Sequence, residues 1–107
     1  MSHEIPRSYQ RLKVERRAVV EAYEKMGEAC AGAGPLSERE RSLVKIGIST
    51  GAQLEGGLHS HVRKALEAGV EPEAIRHAVL LALPTVGLPS MMAALTWIED
   101  VLAGDKK

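Results

Sequence analysis

The sequence predicts an all-α fold, and three observations carry that prediction. Large rings are scarce: the chain has one Trp, two Tyr and no Phe, 3% aromatic in all. Leu, Val, Ile, Met and much Ala must therefore fill the interior, and Ala and Leu are also the best helix formers. No stretch alternates β-branched and polar residues with period two, the mark of strands. At 107 residues, 45% hydrophobic and 26% charged, the chain reads as a single domain, residues 1–107.

A first helix is expected from near Pro6, a residue suited to a first helical turn. Tyr9 and Leu12, then Val19, Tyr23, Met26 and Cys30, form its apolar ladder, with Arg11, Lys13, Arg17, Glu21 and Glu24 opposite. Two glycines and Pro35 end it in a connection. Ser37 and Glu40 then form a capping box, in which each side chain takes a free backbone N–H of the other. The helix it opens, to about Gly51, is apolar nearly all round through Leu43, Val44, Ile46 and Ile48.

A third helix is expected from about Gln53 to Ala68, with Leu54, Leu58, Val62 and Ala65 as its stripe and Gly69 as a left-handed stop. Pro72 begins a fourth, which runs through residues 78–83 with hardly a polar face. Pro84, Gly87 and Pro89 mark a bend before a last helix carrying Met91, Met92, Leu95, Ile98, Val101 and Leu102. Two helices apolar on every side exceed what a chain this short can cover. A homo-oligomer is expected.

The composition also narrows the function classes. Lys+Arg and Asp+Glu are both 14, so there is no basic excess for nucleic acid. No apolar stretch approaches the roughly 20 residues of a membrane span. The opening residues hold no apolar leader segment, so a cytoplasmic protein is expected. One cysteine, Cys30, excludes an internal disulfide, and it reads as a core thiol.

The polar residues with chemical potential cluster between Gln53 and Val62. His61, three residues after Leu58 and four before Ala65, falls at the edge of the apolar stripe. An imidazole there is either hydrogen-bonded into the core or a general acid or base tuned by burial. His59 is two residues away, about 200° round the helix, and faces elsewhere. Glu55 and His59 share a face and read as a solvated pair four residues apart. Two ligands fall short of the three or four a metal needs, so no metal is expected. Gly56 and Gly57 leave space for a ligand or for a neighbouring helix. His77 lies within an apolar helix, and His3 is terminal.

Taken in order, several landmarks resemble one family. They are residues 36–44, His61 and Val62 followed by residues 64–70, then residues 73–82 and Gly87, Leu88, Pro89 and Ser90. Together they resemble the carboxymuconolactone decarboxylase-like domain, shared with the AhpD-like alkylhydroperoxidases, with residues 36–102 as family core and 1–35 as N-terminal helix and connection. The resemblance implies an AhpD-like bundle of about five or six helices that assembles as a homotrimer or homohexamer. The redox branch uses a Cys-x-x-Cys-x-x-x-His motif. Placing its histidine on His61 puts Leu54 and Gly57 where the cysteines belong, and Ser42 where it has glutamate. Thiol peroxidase chemistry is therefore disfavoured.

The decarboxylase branch is closer, through Arg41, Ser42, Leu43, Val44 and His61. Its acidic residues before the histidine are Gly56 and Gly57 here, with Glu55 adjacent, and its second histidine falls near Leu81, one turn after His77. The resemblance thus implies a cofactor-free, decarboxylase-like lyase acting on a small organic acid or lactone. His61 would be its acid/base, Glu55 or His59 would orient it, and His59 and His77 would contact substrate. The alternative on the same scaffold is a non-catalytic, oligomeric small-molecule-binding or assembly module.

Overall fold

Helix signals and breakers divide the chain where they fall in sequence. The computed structural model describes residues 5–103, so His3 lies outside the described residues. These residues form two compact units, 5–36 and 37–103, the first ending with the Gly- and Pro-containing connection. Among the described residues there is no strand.

In residues 5–36 the expected single helix is two, α1 (Arg7–Glu15) and α2 (Arg17–Ala31). Arg16 leaves helical backbone at φ −137° and ψ 56°, although its N–H still reaches the Leu12 carbonyl at 2.7 Å. α2 then folds back on α1. The Tyr9 hydroxyl donates to Glu24 Oε2 at 3.0 Å, and Lys13 Nζ lies 3.7 Å from the same carboxylate. Two helices offer each other one contact surface, so only Val20 is buried in α2. Tyr23, Met26 and Cys30, expected to point inward, are exposed. The reading of Cys30 as a core thiol is corrected accordingly.

Residues 37–103 hold α3 (Glu38–Gly51), α4 (Glu55–Glu67), α5 (Pro72–Leu80), the single turn α6 (Leu83–Val86) and α7 (Leu88–Leu102). The capping box forms as expected: Glu40 N–H donates to Ser37 Oγ at 3.1 Å, and Ser37 N–H donates to Glu40 Oε1 at 2.8 Å. α3 and α7 each pack against both α4 and α5. Ile46, Leu58, Val62, Ile75, Val79 and Ile98 meet between them, all fully buried. Each such side chain contributes about 1.5–3 kcal/mol from leaving water.

The boundaries that moved have local causes. Gln53, expected inside the third helix, instead adopts a left-handed φ of 56° and links α3 to α4. Its amide Nε2 donates to the Thr50 carbonyl at 2.8 Å and to the Ser90 carbonyl of α7 at 3.1 Å. α5 stops at Leu80 because Pro84 has no N–H to give that residue's carbonyl. Gly69, at φ +86°, ends α4 as the sequence implied, with Val70 N–H donating back to the Ala65 carbonyl at 2.9 Å.

The apolar excess expected in residues 43–48 and 78–83 lies on the surface. Ile48 is 60% and Leu81 62% exposed, and Val44 and Leu80 are exposed beside them.

Candidate functional site

α4 sets the chemistry. Leu58 and Val62 fix its rotation by burial, which leaves His59 and His61 on either side of Leu58 facing different neighbours. Glu55 opens the helix, where the positive end of the dipole favours a carboxylate.

His59 turns to α7. Its Nε2 lies 3.0 Å from Asp100 Oδ2, and its side chain is only 26% exposed. The expectation that His59 sits on a solvated face is thus corrected, because α7 packs over it. Glu55 is one turn away, and the ligand atoms of Glu55, His59 and Asp100 all lie within 4.8 Å of one another. Asp100, 41 residues beyond His59, was missed. Its one trace in the sequence is its place between the apolar positions Ile98 and Val101, at the edge of the stripe of α7.

His61 is half-buried, as its stripe-edge position implied. Burial pushes its imidazole below the usual histidine range, and the ammonium groups of Lys64 and Lys45 push it further the same way. The ring is therefore neutral at neutral pH. Lys64 stands three residues on, along the same side of α4, and Lys45 comes from α3. Sequence reasoning missed both lysines as part of this neighbourhood. Glu55 and His59, expected to orient His61, are brought to Asp100 instead.

His77 lies elsewhere again. On the last turn of α5 it helps line a groove of about 580 Å3 beside α3, within residues 37–103. Leu43, Val44, Ala78, Leu81 and Ala82 give the groove its apolar walls. Arg39, His77 and Thr85 are its polar groups, and Arg39 Nη2 is paired with Glu71 Oε1 at 3.2 Å. Neither His59 nor His61 lines it. A Cβ at Gly56 would meet open space, whereas one at Gly57 would touch Leu54 at 3.4 Å and Ser49 of α3 at 3.7 Å.

A model of the carboxymuconolactone decarboxylase family matches residues 17–100, most of the chain. The chain belongs to that family. No curated protein and no solved structure matches it. The match begins well before the landmarks at Leu36 and takes in α2. This carboxymuconolactone decarboxylase family member has one cysteine and hence no Cys-x-x-Cys pair. Among the described residues, no helix is long and apolar enough to cross a membrane.

Proposed function

We propose that this family member is a decarboxylase-like lyase acting on a small organic acid or its lactone, with His61 as the proton-transfer group. The observation that supports the reading is the half-buried His61, whose imidazole is held below the usual histidine range by burial and then by the charges of Lys64 on its own helix and Lys45 on α3, which packs against α4. The ammonium groups would hold a substrate carboxylate. The imidazole would accept a proton from the substrate and return it to the carbon left electron-rich when carbon dioxide departs. Such a site needs no thiol, which agrees with the missing cysteine pair.

The test is a panel of small carboxylic acids and lactones, followed by carbon dioxide release and ultraviolet absorbance, with wild type and His61→Gln. Turnover that the variant loses supports the proposal; turnover that it keeps overturns it.

A second copy of this chain is our proposed cover for the exposed apolar surface around Ile48 and Leu81. Light scattering that reports a stable 11.5 kDa monomer would refute this. A cytoplasmic compartment fits the single exposed thiol, since unpaired cysteines persist where conditions are reducing. The groove beside α5 favours a second reading, a non-catalytic module that binds an apolar small molecule against His77 and Thr85. Its size falls in the range of small-molecule sites, and it is separate from His61.

A further inference from the structure

We propose that Glu55, His59 and Asp100 together bind one divalent transition-metal ion, of the zinc or cobalt class, which ties α4 to α7. The site lies apart from the groove and uses none of the groups assigned to proton transfer.

The argument begins with spacing. Glu55 and His59 are one helical turn apart, so both side chains reach the same point above α4. α7 packs on α4 and brings Asp100 to that point. A nitrogen, a carboxylate oxygen and a second carboxylate oxygen then lie within 4.8 Å of one another. The shortest separation, 3.0 Å between His59 Nε2 and Asp100 Oδ2, serves a hydrogen bond. Two donors about 2.1 Å from a tetrahedral ion sit about 3.4 Å apart, so this pair need open by only a few tenths of an ångström to share one metal. Glu55 swings in to close the set. Its side chain is exposed and free to swing.

Charge points the same way. Glu55 and Asp100 place two negative charges beside one imidazole. Among the described residues, Glu55 has no hydrogen bond or ion pair, and Asp100 has only that to His59. Arg63, four residues after His59 and nearly buried, forms no ion pair with either carboxylate. The guanidinium of Arg76 is held by Glu99 at 2.7 Å and Glu73 at 2.9 Å. Among the described residues no cation pairs with either carboxylate, and a divalent ion would neutralise them.

The donor set selects the class of ion. One imidazole with two carboxylates suits zinc, cobalt or manganese, whereas magnesium and calcium prefer oxygen alone. Three protein ligands leave at least one position for water, so the site is open to exchange.

The experiment uses the full chain, stripped with chelator and titrated with zinc chloride by calorimetry, with thermal melting and cobalt absorption in parallel. One ion per chain is expected, with a rise in Tm as the folded state gains a ligand. Asp100→Asn and Glu55→Gln should each weaken binding by about tenfold or more and cancel the rise in Tm. Cys30→Ser should change neither, and far-UV circular dichroism checks that the variants fold. Absence of saturable binding to the wild type overturns the proposal. So does wild-type affinity in either carboxylate variant, since a hydrogen-bonded imidazole–carboxylate pair alone gives that result. Loss of zinc binding with turnover intact, or the reverse in a His61 variant, separates this proposal from the lyase reading.

Discussion

His59 and His61 differ by two positions in sequence and by their whole electrical surroundings. His59 meets the Asp100 carboxylate of α7; His61 is half-buried and lies in the field of the Lys64 and Lys45 charges. One helix thus presents one side chemistry twice, once suited to cations and once to anions. Rotation about the helix axis, set by the burial of Leu58 and Val62, assigns the two roles. Residue type alone would have assigned neither.

The largest expected effect concerns the anion-binding side. His61→Ala should lower turnover by about 10²–10⁴-fold, the usual contribution of a positioned proton-transfer group. His59→Ala should leave turnover within a few-fold. A reversal of the two results would exchange the roles of the two faces.

Leu58→Ala attacks both faces together, because this fully buried side chain fixes the rotation of α4. It should cost about 2–5 kcal/mol in urea unfolding, as for other large-to-small core changes. A smaller cost would mean that α4 is held by its polar faces rather than by its stripe.

Replacing Lys45 or Lys64 by Ala tests the anion-binding side alone. Each lysine is exposed and screened by salt, so KM for a carboxylate should rise only about three- to tenfold, with kcat little changed. The effect should shrink as salt is added.

The capping box supports the helix that carries Lys45, and it gives a pH dependence. The Ser37 backbone N–H and then its hydroxyl hold the Glu40 carboxyl below the usual glutamate range. A folded pKa below the unfolded one adds stability that is full above the unfolded value. That stability is lost as pH falls through the folded one. Glu40→Gln should therefore lower thermal stability at neutral pH and flatten the acid limb, the variant and wild-type curves converging at low pH. Ser37→Ala should cost about 1 kcal/mol at neutral pH.

Smallest is Gly56→Ala. With open space at the Cβ position, it should stabilise α4 by about 0.5 kcal/mol, seen as a slight rise in Tm.

What was legible in the sequence was what neighbouring residues decide. The capping box closes over three residues, Gly69 stops its helix by its own backbone freedom, and the stripe of α4 follows from its period. The break at Arg16 carries neither glycine nor proline, and Gln53 takes a left-handed backbone that its type seldom adopts, so both went unseen. The missing parts of the sites are tertiary. Asp100 reaches His59 across 41 residues, and Lys45 reaches His61 from another helix; no periodicity within α4 could place them. Cys30 failed for a related reason: Val19, Tyr23 and Met26 of its ladder are exposed with it, and Val20 is the residue of α2 that is buried.

The separation of the two faces is open to one direct measurement. Ring resonances of the described histidines can be followed by NMR while a small dicarboxylate such as succinate is added, and then zinc chloride. The account predicts that succinate shifts the ring of His61 and leaves that of His59 in place, and that zinc shifts the ring of His59. Succinate moving His59 and not His61, or no response of His61 at saturating succinate, would contradict it.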